Sequence, residues 1–169
     1  MVFPHGHADH GDGGPGVARG RQVAQIAVGP TGGPGRSDIP RHVAVPGDEF
    51  SLGGITAEAL WPPPSAPVKV GDVAGSGPNN LSVVLAVRIR GVHLLLTGDI
   101  EPEAQEKLLR VHPDLQADVI KVPHHGSARQ SKAFFDPVGA RFATISDGAD
   151  NDYRHPAAAA LELPADHFV

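Results

Sequence analysis

An α/β fold is what this sequence predicts, and three observations carry the prediction. β-Branched and apolar runs with strand character recur through the second half of the chain, at 81–90, 93–96 and 117–122. Between them, Glu101-Pro102 opens a stretch with one apolar helical face, so strand and helix alternate. Three predicted strands also end in short turns rich in His and Asp: Pro4-His5-Gly6-His7-Ala8-Asp9-His10, Thr97-Gly98-Asp99 and Pro123-His124-His125-Gly126-Ser127. Open α/β sheets place their sites at such C-terminal strand ends.

Val2-Phe3 reads as the last residues of a strand whose beginning is absent. Gly16 to Val28 mixes Val17, Val23, Ile26 and Val28 with Arg19, Arg21 and Gln22, a pattern compatible with a short helix feeding a strand. Gly29-Pro30-Thr31-Gly32-Gly33-Pro34-Gly35 can hold neither and reads as a flexible surface loop. From His42 the texture changes to short antiparallel strands: His42-Val43-Ala44-Val45, Phe50-Ser51-Leu52 and Ile55 to Trp61, separated by Pro46-Gly47-Asp48-Glu49 and Gly53-Gly54. Pro62-Pro63-Pro64 stops them, and Ser65 to Asn80 is a polar, glycine-bearing loop.

Leu81 to Arg90 then forms a hairpin through Arg90-Gly91 with His93 to Leu96, a strand apolar on both faces and hence expected to be buried. Proline is tolerated at the first helical position and Glu101 and Glu103 complement the dipole there, so a helix follows. Ala104, Leu108, Leu109 and Val111 give it an apolar face, and Pro113 closes it. Ala117 to Val122 resumes as strand, followed by a helix around Ser131 to Phe135 and a strand from Arg141 to Ser146. A polar loop, Asp147 to Arg154, leads through His155-Pro156 into an alanine-rich helix from Ala157.

A chain of 169 residues, 40% hydrophobic and 20% charged, fits one domain over 1–169 with one sizeable core. With Gly 21, Pro 17 and 5% aromatic content, much of it must be loop around an aliphatic core. The absence of cysteine excludes disulfides and thiolate metal sites. A net charge of -5 gives no global attraction to nucleic acid, so such contact would depend on local cations, for which Arg129, Lys132 and Arg154, in the segments that follow the His124-His125 turn, are the candidates. No apolar run approaches the ~20 residues of a membrane span and no signal peptide is evident, so a soluble chain, cytoplasmic by default, is expected.

The first dozen residues carry the chemistry. Histidines two apart on a tight turn can aim both rings at one ion, and an Asp-His pair can reach a second ion close by; HxHxDH does both. Imidazole with carboxylate suits zinc, manganese or iron. An isolated Gly-Asp after a strand is ordinarily a turn or helix-cap aspartate, and two adjacent histidines are ordinarily core or surface residues. Three such ends converging on one region are far less ordinary, and they predict a shared metal site.

Taken together, His5 to Gly14, Asn79 to Leu85, Leu94 to Glu101, Lys121 to Ser127 and the Ile145 to Pro156 tail resemble the metallo-β-lactamase-like domain at the C-terminal end of ComEC-type DNA-uptake proteins, collinearly from about Phe3 to Pro156. The resemblance implies an αββα sandwich, here lacking its first strands, around two divalent metal ions, zinc or manganese. By position His5 and His7 would hold the first ion, Asp9 and His10 the second, Asp99 would bridge, and His124, in preference to His125, would complete the ligand set of the second ion. In the wider superfamily a further histidine serves the first ion. The intervening region offers only His42 and His93, and the matching position falls near Asn79, a poorer ligand.

The implied activity is a metal-dependent, nuclease-like phosphodiesterase related to DNA uptake, with DNA as substrate and a membrane channel partner encoded separately; acting with such a channel would place it outside the cytoplasm. Asp9 would orient the attacking water as well as bind metal, and His155 would donate to the phosphate or leaving group. Ser127 and Asn79 would hold ligand orientation. Two other readings compete: a hydrolase of the same fold acting on a small ester, thioester or phosphodiester, and a degenerate, non-catalytic fragment. Domains of this type carry strands with a DVGQGD-like segment ahead of HxHxDH, whereas only Val2-Phe3 stand there here. The strand leading into His5 is therefore expected to lack pairing partners, with residues 1–15 mobile, the protein marginally stable and the reading frame extending upstream.

Overall fold

The computed structural model describes residues 1–33, 38–64 and 76–163, and among these residues nine strands sort into two sheets. The smaller is parallel throughout, in the order β1 (Val2–Phe3), β2 (Ile26–Val28), β3 (Arg41–Val43). The larger runs β4 (Glu49–Leu52), β5 (Ile55–Trp61), β6 (Val84–Ile89), β7 (Val92–Leu96), β8 (Val119–Lys121), β9 (Phe142–Thr144) in chain order. It is antiparallel as far as β7 and parallel from there to β9. Parallel neighbours need crossover connections. The helices α4 (Pro102–Val111) and α5 (Lys132–Val138) supply those after β7 and β8. The shorter helices are α1 (Ala8–Gly11), α2 (Gly14–Ala18), α3 (Ser76–Asn79) and α6 (Ala158–Glu162).

Alternation along the strands builds the layers. Leu60, Val84, Leu95 and Ile120 of the large sheet pack with Ala104, Leu108, Phe134, Phe135 and Val138 of α4 and α5. On the opposite face Ala59, Leu85 and Val87 meet Val2 and Ala44, closing one sheet onto the other. Beyond the small sheet, Phe3, Ile26 and Val28 form a third cluster, and Gly14 of α2 lies against the Phe3 ring. Helix, sheet, sheet and helix follow in order, as the αββα expectation had it. Trp61 packs in the large core with its indole N–H donating to Asn80 O at 2.7 Å. The β6–β7 turn places both central residues, Arg90 and Gly91, at positive φ (50° and 81°), the conformation that matches strand twist in a two-residue hairpin.

Four expectations are corrected. His42-Val43 is not antiparallel: β3 lies parallel to β2, because the connection after Val28 is long enough to return the chain to the same end of the sheet. Gly29 is not on the surface; an added Cβ would come within 2.3 Å of Pro4 O. β7 is buried on one face only: Leu95 is buried, while Val92 and Leu96 are partly open to solvent. The strand entering His5 does have a partner, since β1 pairs with β2 through Val2↔Ala27 and Phe3↔Val28. The expected loops at 34–35 and 65–75 lie outside the described residues.

Candidate metal centre

The two sheets meet where the chain leaves β1. Pro4 O accepts from Val83 N (2.9 Å), fastening this exit to the start of β6, and the following residue, His5, is fully buried. His5 Nδ1 lies 3.1 Å from Ser82 Oγ, which also accepts from Asp99 N at 3.0 Å. A hydroxyl oxygen can accept both bonds, so with Nδ1–H donating to Ser82 the His5 Nε2 keeps its lone pair for a metal. Nε2 in turn lies 3.1 Å from His7 Nδ1 and 3.8 Å from Asp99 Oδ2. Burial depresses His5 to a pKa of about 4, so at neutral pH it is an uncharged, ligand-ready imidazole.

Asp99 follows β7 through Thr97-Gly98. Thr97 is fully buried and its hydroxyl donates to Lys121 O at 2.7 Å, holding the turn against β8. Gly98 has φ +57°, and a Cβ there would fall 2.6 Å from Ser82 Cβ and 3.2 Å from Pro4 Cβ. Only a residue without Cβ lets these three segments close together. Asp99 is 2% exposed, with Oδ2 3.0 Å from His10 Nε2 and 3.4 Å from His125 Nε2. Burial alone would raise its carboxyl, but hydrogen bonds from His10 and His125, with the nearby positive charge of Lys121, hold it well below the usual carboxylate range.

The sequence favoured His124 over His125, and the structure brings His125 to the cluster instead. His124 and His125 both adopt left-handed backbone (φ 48° and 52°) ahead of Gly126, rare for consecutive non-glycine residues and a form of strain that concentrates at functional sites. This sends their rings apart. His125 Nε2 lies 3.1 Å from His10 Nε2 and 3.2 Å from Asp9 Oδ2, while its Nδ1–H donates to Ser146 O at 2.6 Å. That bond fixes the ring orientation that turns Nε2 towards the cluster. The hydrogen bond to Asp99 raises His125 to a pKa of about 9. His124 instead turns to Glu101, with Nδ1 3.5 Å from Oε1, and to His155, whose ring centroid is 5.6 Å away. Burial lowers its pKa.

Two donor sets result, Asp9, His10, Asp99, His125 and His5, His7, Asp9, each with ligand atoms within 4.8 Å of one another. Asp9, 55% exposed on α1, belongs to both. The donors fit divalent cations that accept imidazole and carboxylate, such as zinc or manganese. Asp99 Oδ1 supports the fit: it is buried and accepts no hydrogen bond, the Lys121 ammonium standing 4.0 Å away.

The remaining candidates lie around this core. His155 packs on His124 rather than joining either donor set, and its Nδ1 is buried without a hydrogen-bond partner. Asn79 Nδ2 donates to Glu101 Oε1 at 3.2 Å, and Ser127 Oγ accepts from Arg129 N, so Asn79 supports Glu101 and Ser127 orders its own loop. Arg129 is engaged by Glu101 and Glu103 (3.1 and 3.3 Å). His42 pairs with Asp48, and His93 sits on β7 with its backbone N–H bonded to Asp118. Sequence reasoning missed two supports, Ser82 and Glu101. Both lie inside stretches that carry the family resemblance, Asn79 to Leu85 and Leu94 to Glu101, but nothing local marks Ser82 as the partner of a histidine 77 residues away.

No family model matches the chain. It is 38% identical over 92 residues, 54% of its length, to "ComE operon protein 3" of Bacillus subtilis (strain 168), and 33% identical over 93 residues, again 54%, to "Competence protein ComA" of Neisseria gonorrhoeae. These matches take in only 12% and 14% of the two relatives. Among solved structures it is similar to the metallo-β-lactamase fold protein YhfI from Bacillus subtilis, with a TM-score of 0.51 at 10% identity, covering 99% of this chain and 70% of that one. At that identity the likeness shows the fold alone. No helix among the described residues is long and apolar enough to cross a membrane.

Proposed function

We propose that this chain, a metallo-β-lactamase-fold relative of competence proteins, is a metal-dependent phosphodiesterase acting on DNA. The observation that carries the reading is the pair of adjoining donor sets sharing Asp9, with the Asp99 carboxylate facing His10, His125 and His5. Two divalent ions held there would lower the pKa of a shared water towards neutrality and neutralise charge on the attacked phosphate. His5 and His7 would hold one ion, His10 and His125 the other, with Asp99 between them. Asp9, the most exposed of these side chains, would both bind metal and orient the attacking water. His155, beside His124 on the flank of the cluster, would hold a proton for the leaving oxygen. Glu101, bonded by Asn79 and paired with Arg129, keeps His124 turned to that flank.

DNA as substrate, and a separately encoded membrane channel as partner, follow from the resemblance to ComEC-type proteins. The decisive experiment is cleavage of single-stranded DNA by the purified chain with added manganese or zinc, alongside metal analysis by mass spectrometry. Cleavage with close to two ions per chain, abolished in Asp9→Ala, is the expected result. Activity retained in Asp9→Ala would sink the proposal. Turnover of a small ester or thioester with no DNA cleavage would move the function to a small substrate.

A further inference from the structure

We infer that the ring of Tyr153 is a stacking platform for a base of a single-stranded nucleic acid entering the metal centre, an assignment that rests on the phosphodiesterase reading above. Tyr153 is the only tyrosine of the chain and is 81% exposed. It is not a stray surface ring. It lies nearly parallel to His155, with centroids 5.8 Å apart and an interplanar angle of 21°, and His155 stands edge-on to His124 at 5.6 Å. His124 is 6.3 Å from His125, which sits in the Asp99 donor set. A continuous run of rings thus leads from open solvent to the metal ligands, and its outermost member offers most of its surface to a partner.

The loop that carries Tyr153 is held in place. Asn151 Oδ1 accepts from His155 N at 2.8 Å, while its Nδ2 donates to Asp147 Oδ2 and to His155 O, both at 2.9 Å. Arg154 takes a left-handed backbone (φ 56°), which separates the outward Tyr153 from the inward His155. Charge decides the kind of contact. Asp147, Asp150 and Asp152 outnumber Arg154 in this loop, so it repels a phosphate backbone rather than gripping one. What it can offer a nucleic acid is a neutral aromatic face, and every base has a complementary one.

The test is binding of a labelled, nuclease-resistant phosphorothioate DNA oligonucleotide to the full chain as purified, followed by fluorescence anisotropy for the parent, Tyr153→Ala and Tyr153→Phe. Tyr153→Ala is expected to bind roughly tenfold more weakly, and Tyr153→Phe within about twofold of the parent. The difference should vanish on an abasic oligonucleotide of equal length and should change little with salt, because the ring carries no charge. Equal binding by the parent and Tyr153→Ala, an equal loss on abasic DNA, or a Phe variant as weak as the Ala variant would each overturn the inference. The two readings fail separately. Base-dependent binding through Tyr153 with no cleavage of any phosphodiester removes the enzyme assignment and leaves the platform, whereas DNA cleavage with binding indifferent to Tyr153→Ala removes the platform and leaves the enzyme.

Discussion

The large sheet delivers Asp99 and His125 from the ends of two interior strands, β7 and β8, whereas the small sheet delivers His5, His7, Asp9 and His10 from beyond a two-residue strand. Behind Asp99 and His125 lies the principal core, with Leu95, Ile120, Leu108 and Phe134 all buried. Behind His5, among the described residues, lies a smaller cluster of Phe3, Ile26 and Val28 with a few partly buried neighbours. One half of the site therefore inherits rigidity from deep packing. The other gets it from a few specific tethers: the Pro4–Val83 bond, the Ser82 hydroxyl and the close approach at Gly98. Damage to the two halves should consequently look different, one as lost stability and the other as lost metal.

The sharpest contrast sets Phe134 against Phe3. Phe134→Ala empties a fully buried position and is expected to cost about 3–5 kcal/mol in a denaturant melt. Below its lowered transition it should still bind its full complement of metal. Phe3→Ala should cost roughly half as much, since the short strands around it can collapse into the space. It should nevertheless lower metal occupancy at room temperature, because Phe3 sets the strand that aims His5. If metal retention falls more in Phe134→Ala than in Phe3→Ala, the division between the halves is wrong.

Next in size is Ser82→Ala, which removes the oxygen shared by His5 Nδ1 and the Asp99 N–H. Loss of such an orienting partner typically weakens metal affinity 10- to 100-fold, and the fall should appear in a competition titration with a chromophoric chelator. Stability should drop by only about 1–2 kcal/mol, for the stranded amide. An affinity indistinguishable from the parent's would show that His5 is aimed by packing alone.

The smallest effect is a matter of protons. His5, depressed to about 4, is neutral at pH 7 and releases nothing when it takes a metal; His125, raised to about 9, is protonated there and must release one proton. Calorimetry in buffers of different ionisation enthalpy should find about one proton fewer released by His125→Ala than by the parent at pH 7, a difference that shrinks as pH climbs past 9. The same comparison on His5→Ala should show no such proton. A pH-independent difference would place the raised pKa elsewhere.

Legibility in the sequence followed the range of the forces involved. The HxHxDH turn, the Thr97-Gly98-Asp99 end and the crossover helices are local patterns, and the hairpin at Arg90-Gly91 is a turn any reader of residues can find. The choice between His124 and His125 was not legible, because it rests on two successive left-handed backbones set by the packing of their loop. Ser82 escaped notice because its role exists only once β6 lies against the exit from β1. The direction of β3 and the open face of β7 depend likewise on which sheet a strand joins and what covers it, and hydrophobic alternation carries no record of either.

Trp61 gives the molecule an optical property. It is the single tryptophan, buried in the principal core, and its indole N–H holds the carbonyl of Asn80, whose side-chain oxygen accepts from Glu101 N at 2.8 Å. Glu101 in turn faces His124. The one strong fluorophore of the chain is thus wired to the strut behind the site, and its emission will register any loosening of that strut on a single wavelength channel, with no dye attached.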